Sequence, residues 1–114
     1  MAWNSATVDW VLAMVLSALF AIAGVINLAG FGPVKRDFAR WGYPTWLRLV
    51  CGAVELSSAG FLLAHQTRLL GLALAGMVMT GALFTLLRHR EPFRHLAPAL
   101  VFSALAVLTA ALHG

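Results

Sequence analysis

The feature that most constrains this chain is a series of four long apolar segments, each bounded by a short polar stretch. They run over about residues 9–30, 45–64, 69–87 and 96–112. A bilayer core of about 30 Å requires roughly 20 apolar residues in a helix, so three segments are long enough and the last is near the lower limit. The pattern predicts an all-α membrane protein, a four-transmembrane-helix bundle that forms a single domain over residues 1–114.

The composition argues against a soluble bundle. Hydrophobic residues make up 61% of the chain and charged residues only 11%, whereas a soluble domain is about 45–50% apolar. A soluble chain this short would also have much surface to cover with polar groups. We therefore expect lipid to be the solvent of these helices.

The polar stretch between the first two segments, residues 34–43, has a helical pattern of its own. Val34, Phe38 and Trp41 are spaced i, i+4 and i+7, which places them on one face of a helix. The remaining positions are largely charged. This pattern predicts a short amphipathic helix that lies in the membrane interface between the first and second spans.

The basic residues are distributed very unevenly between the two ends of the predicted bundle. Arg68 alone lies on one side, and seven lie in or beside the first and third connections: Lys35, Arg36, Arg40, Arg48, Arg88, Arg90 and Arg94. The positive-inside rule therefore predicts cytoplasmic basic loops and both termini outside, in a bacterial inner membrane. Because these charges flank apolar segments, we expect membrane lipids as their partners and no nucleic acid.

Glu55 is the most informative single residue. It lies about ten residues into the second span, roughly 15 Å from its start and near the bilayer midplane. A charge at that depth costs at least ~2.5 kcal/mol on insertion scales, so the carboxyl should face the interior, be paired or be protonated. It is either a ligand-binding or acid–base group, or a structural carboxyl bonded to another helix.

Two further polar residues, nearer the basic end of the bundle, complete the candidate catalytic set of Glu55, Asn27 and Arg48. Arg48 shares a helical face with Glu55 but lies about 10 Å away along the axis, too far for a direct pair. A water or a ligand head group could bridge them, or Arg48 could snorkel to the interface. Asn27 lies one turn inside the end of the first span, where an interhelical hydrogen bond is the alternative role.

Five residues near the basic end are candidates for contact with a ligand. Trp41, Tyr43 and Trp46 flank the start of the second span, where they either anchor the interface or line an entrance for a lipid or quinone. Thr85 and His89 end the third span at a depth similar to that of Asn27. His89 either titrates near neutral pH in a site or is simply exposed in a basic loop.

The sequence contains no pattern for a metal or a nucleotide cofactor. The lone Cys51 cannot form an internal disulfide and matches no metal motif, and no Gly-rich fingerprint or nucleophile motif is present. We therefore expect no metal and no evident cofactor.

Small residues recur on the predicted helices. They are Ser17, Ala21 and Gly24 on the first span, Ala53, Ser57 and Gly60 on the second, and Gly76 and Thr80 on the third. Such stripes allow close helix packing in lipid. They pack either within one bundle or against a partner, which could be a second copy or another membrane protein.

One motif resembles a known family. The run Arg40-Trp41-Gly42-Tyr43-Pro44-Thr45-Trp46, followed by Gly52-Ala53-Val54-Glu55, is similar to the W-G-Y-P-x-W and G-x-x-E elements of the DoxX-like family of small four-helix membrane proteins. The basic turn over residues 87–91 also resembles that family's turn after the third helix. One departure is Asn27, which stands where many relatives have a lysine, so a role that needs that lysine is not carried over.

The resemblance implies a bundle whose members differ in task. The family's namesake is associated with quinol-linked thiosulfate oxidation, and relatives are linked to membrane redox complexes and to the assembly of other membrane proteins. Three hypotheses follow. The first is a protein that binds a quinone or other hydrophobic small molecule around Glu55, as a redox-associated subunit. The second is a cofactor-independent isomerase or epoxide-opening enzyme with Glu55 as general acid or base. The third is a non-catalytic assembly or interaction factor, so whether the chain is an enzyme stays open.

Overall fold

The structure is a computed structural model that describes residues 4–91 and 93–112, without the side chains of residues 5, 6 and 93–95. Within these ranges every regular element is helical. The elements are α1 (Ser5–Ala29), α2 (Val34–Arg40), α3 (Thr45–Leu63), α4 (Arg68–Arg88) and α5 (Phe93–Leu112), with a 3₁₀ turn at His65–Thr67. The all-α prediction is confirmed, whereas both chain ends and the side chain of Arg94 lie outside the described residues.

Local sequence signals fix both ends of α1. The side chain of Asn4 accepts a hydrogen bond from the backbone N–H of Thr7 at 2.9 Å, which caps the start of the helix. Gly30 ends it in the left-handed conformation, with φ of 74°, and its N–H donates to the carbonyl of Ile26 at 2.8 Å. The chain therefore turns directly from α1 into the short helix α2.

The four long helices form an up-and-down bundle. α1 packs most extensively on α3 and also contacts α5, and α4 contacts both α3 and α5, so the helices close a ring. Phe20 of α1 meets Phe102 of α5 edge to face at 5.3 Å between ring centroids. The buried core consists of Leu16, Phe20, Ala59, Leu62, Leu72, Ala75, Met79 and Ala99.

Glycines set the closest approach of the helices. A Cβ atom on Gly24 of α1 would lie 2.9 Å from the carbonyl oxygen of Gly52 on α3, and the reverse distance is also 2.9 Å. Neither position has room for a side chain. By contrast, Ala53, Ser57 and Gly60 are exposed on the outer surface of α3, so that stripe does not pack within the bundle.

Three helices are long and apolar enough to cross a membrane: Thr7–Ala29, Thr45–Leu63 and His65–Arg88. A fourth apolar stretch, Leu96–Leu112, is shorter. Large apolar side chains cover the outside of the bundle, including Ile22 at 59% and Met77 at 67% exposure. An outer surface this apolar is matched to lipid, and the chain is an integral membrane protein.

Candidate ligand-binding site

Glu55 lies in the interface between α3 and α1. Its side chain is buried, and its Oε1 accepts a hydrogen bond from Nδ2 of Asn27 on α1. Its second oxygen, Oε2, has no hydrogen-bond partner among the described residues. The high cost of a charge at this depth explains why α3 turns the carboxyl inward. One oxygen is held by the protein, and the other remains available to a proton or a ligand.

Arg48 reaches α1 instead of Glu55. The guanidinium Nη1 donates to the main-chain carbonyl of Asn27 and, at 3.5 Å, to that of Leu28. These carbonyls belong to the last turn of α1, where no further backbone N–H can satisfy them. Asn27 therefore links Arg48 to Glu55. Its backbone carbonyl accepts a hydrogen bond from Arg48, and its side-chain amide donates one to Glu55.

Four of the five predicted ligand-contact residues gather at the α2 end of the bundle. Tyr43 Oη and Thr85 Oγ1 are hydrogen-bonded at 2.8 Å. The His89 ring lies 6.2 Å from the rings of both Trp41 and Tyr43, measured between centroids. Trp46 does not join them, because it is 63% exposed on the outer surface.

A polar network that the sequence did not reveal fastens α2 to the turn after α4. Glu91 accepts hydrogen bonds from Trp41 Nε1 at 3.0 Å and from Arg40 Nη1, and Arg40 also pairs with Asp37 at 3.0 Å. The hydrogen bond with Glu91, followed by the one with Asp37, raises the pKa of the Arg40 guanidinium above its ordinary value. The sequence signal for this network was that Glu91 is the one acidic residue in the basic turn after α4.

An open cleft lies beside this network. It has a volume of about 250 Å³ and is lined by Lys35, Phe38, Ala39, Tyr43, Thr45 and Arg48. We call it the interfacial cleft. Arg48 lines the cleft and also binds the carbonyl of Asn27, whereas Glu55 is not part of the lining.

The opposite end of the bundle holds a buried ion pair that sequence reasoning missed. Arg68 Nη1 lies 3.1 Å from Asp9 Oδ2, and Arg68 Nε donates to the carbonyl of Leu62 at 3.0 Å. Both charged residues are only 3% exposed. The signal was present: in an up-and-down bundle, the starts of the first and third spans share one end, and each carried one unexplained charge.

The polar side chains at this end of the bundle offer hydrogen-bond donors rather than a set of metal ligands. Within residues 4–91 and 93–112, no group of three or more His, Cys, Asp or Glu side chains could hold a metal ion. The Tyr43–Thr85 pair uses one of its two hydroxyl protons, so the other can be donated to a ligand carbonyl. The cleft is smaller than typical small-molecule pockets of ~300–1,000 Å³, so it has room for a small polar group and not for a whole drug-sized ligand.

Comparison with known proteins agrees with this architecture. A family model described as the DoxX-like family matches residues 11–109, which is most of the chain. Searches of the curated proteins and of the solved structures each found no significant match. The matched region contains every residue of the site above and all of the interfacial cleft. On this evidence the chain belongs to the DoxX-like family of membrane proteins.

Proposed function

We propose that this protein binds a quinone or a similar hydrophobic small molecule in the α2 half of the bundle, as a redox-associated membrane subunit. The single observation that carries the proposal is Glu55 Oε2, a carboxylate oxygen with no hydrogen-bond partner among the described residues, on a residue that is only 4% exposed. A purely structural carboxyl at this depth would be expected to have both oxygens satisfied. The free oxygen therefore supports a ligand position beside Glu55.

The surrounding residues support a ligand with a polar head and an apolar tail. Asn27 orients Glu55, and Arg48 holds the end of α1 in place through the Asn27 carbonyl. The Tyr43–Thr85 pair supplies a second polar contact nearer the end of the bundle. When bound, a quinone would supply reversible two-electron chemistry, and these side chains would orient its head and carry protons to or from it.

The membrane arrangement is part of the same proposal. Leu96–Leu112 crosses the bilayer as a fourth span, and α2 lies in the interface. Six basic residues with described side chains lie at the α2 end or in the adjoining turn, which favours a cytoplasmic location for that end, in a bacterial inner membrane. They are Lys35, Arg36, Arg40, Arg48, Arg88 and Arg90. Association with a second copy or another membrane protein also stays a proposal.

Quantifying isoprenoid quinones that co-purify with the protein tests the proposal. The wild-type chain should retain quinone through detergent purification. Glu55→Gln removes the charge but keeps the shape, and it should lower the retained quinone about tenfold or more, because a hydrogen bond to a charged group contributes about 1.5–3 kcal/mol. The matched control is Asp37→Asn, which removes a carboxylate on α2 and should leave retention unchanged. Absence of any isoprenoid from the wild-type protein would contradict the proposal.

The same free oxygen is what a cofactor-independent isomerase or epoxide-opening enzyme would use as its general base. For that alternative, Glu55→Gln should abolish turnover of an epoxide or an isomerisable lipid without changing the binding of quinone. A non-catalytic assembly factor would instead tolerate Glu55→Gln in both assays and retain its membrane partners.

A further inference from the structure

Arg48 presents an uncompensated buried charge at the α2 end. It is only 6% exposed, and its two hydrogen bonds within the described residues are both donated by Nη1 to main-chain carbonyls. The other guanidinium nitrogens have no hydrogen-bond partner among the described residues. A guanidinium in this position is expected to have an anion nearby, because a buried charge is costly unless it is paired.

Among the described residues, no acidic side chain forms an ion pair with Arg48. The chain has four acidic residues. Asp9 pairs with Arg68, and Asp37 and Glu91 pair with Arg40. Glu55 binds Asn27 through one oxygen and forms no ion pair with Arg48. Arg48 can therefore pair with an anion from outside the chain.

The interfacial cleft gathers two further sources of positive potential beside Arg48. Lys35 lines the cleft from α2, and no carboxylate pairs with it among the described residues. Thr45, the first residue of α3, also lines the cleft. The start of α3 has no side-chain cap among the described residues, and of its first three N–H groups only that of Leu47 donates to a backbone carbonyl there, that of Pro44. The N–H groups of Thr45 and Trp46 and the positive end of the helix dipole therefore favour an anion there.

We infer that the interfacial cleft binds a phosphate group, carried on a phospholipid headgroup or present as free inorganic phosphate. Arg48 offers a planar fork of donors to the phosphate oxygens, and Lys35 offers a mobile point charge. Phe38 and Tyr43 form the apolar wall of the cleft, where the glycerol end of a lipid can lie. This site goes beyond the proposed function and does not depend on it, because a quinone carries no phosphate.

Binding measured by native mass spectrometry tests the inference on the full chain in a non-ionic detergent. Phosphatidic acid and diacylglycerol with identical chains differ only in the phosphate, so wild-type protein should bind the first about tenfold tighter or more. Lys35→Gln should weaken phosphatidic acid binding about five- to tenfold. Arg36→Gln is the matched control on the same helix outside the cleft lining, and it should change binding by less than about twofold.

Two further arms identify the source of the phosphate and protect against a folding defect. Displacement of phosphatidic acid by millimolar inorganic phosphate, in a Lys35-dependent manner, would support a site for free phosphate, and resistance to displacement would support a lipid headgroup. Arg48→Lys keeps the charge and should retain more binding than Arg48→Gln. Equal weakening by Lys35→Gln and Arg36→Gln, or equal binding of phosphatidic acid and diacylglycerol, would overturn the inference.

Discussion

Arg68 and Arg48 are two buried arginines at opposite ends of one bundle, and their surroundings differ in kind. Arg68 is neutralised by Asp9 at 3.1 Å and also satisfies the carbonyl of Leu62. Arg48 is nearly as buried, but its described partners are backbone carbonyls only. Arg68 joins the start of α4 to the start of α1 through this buried ion pair, which we call the clamp. Arg48 leaves a positive charge facing an open cleft, which is the arrangement expected of a binding site.

The largest effect should come from breaking the clamp. Arg68→Met leaves Asp9 buried without its cation, and we expect a loss of about 3–5 kcal/mol in the free energy of unfolding, measured by denaturation in detergent. The double variant Asp9→Leu with Arg68→Met removes both charges and should recover most of the loss. Arg88→Met, an exposed basic residue at the other end, should change stability by less than about 0.5 kcal/mol. Equal effects of Arg68→Met and Arg88→Met would show that no clamp exists.

A smaller effect should follow from separating α1 and α3 beside the candidate site. Gly52→Ala places a Cβ atom 2.9 Å from the carbonyl oxygen of Gly24, so we expect destabilisation of about 1–3 kcal/mol. The control Gly60→Ala lies on the same helix with nothing within 4 Å of its Cβ position, and it should stabilise the helix by up to about 1 kcal/mol. The two alanines should therefore shift the unfolding midpoint in opposite directions. A shift in the same direction would contradict the close crossing.

The hydroxyl pair at the α2 end should contribute less. Tyr43→Phe removes the hydrogen bond to Thr85, at an expected cost of about 0.5–1.5 kcal/mol. A double-mutant cycle with Thr85→Val separates this bond from the rest of the packing. A coupling energy near zero would show that the two hydroxyls act independently.

The smallest effect on stability should come from the network that holds α2. Arg40→Gln leaves the core intact, so the unfolding midpoint should stay in place while trypsin cleaves faster within α2. Salt at about 1 M should speed cleavage of the wild-type protein in the same way, because exposed ion pairs are screened over about 3 Å at that concentration. Salt-independent cleavage would show that Arg40 does not hold α2.

The sequence was sufficient for the elements that depend on hydrophobicity and local spacing. Apolar length located the three helices that are long enough to cross a membrane, and the depth of Glu55 in α3 favoured an inward orientation with a partner. The sequence also named Asn27 for a hydrogen bond between helices, which is where the structure places it.

Contacts between residues that are far apart in the sequence could not be predicted from hydrophobicity and local spacing. Asp9 and Arg68 are 59 positions apart, and each taken alone resembles an ordinary helix end. The sequence placed both Trp41 and Trp46 at a possible ligand entrance in the interface. Trp46 instead faces outward, because its orientation depends on the direction of α3 after Pro44. For Arg48 the sequence left open a bridged contact with Glu55 or an interfacial position, whereas the guanidinium binds the unsatisfied carbonyls at the end of α1.

A crystal structure of the protein purified with its native membrane lipids would test the proposed site most directly. We predict non-protein density within about 3 Å of Glu55 Oε2, at hydrogen-bond distance, extending toward the Tyr43–Thr85 pair. A map in which Oε2 is enclosed by protein side chains, with no ligand between α1 and α3, would contradict a binding role for Glu55 and leave it as a structural carboxyl.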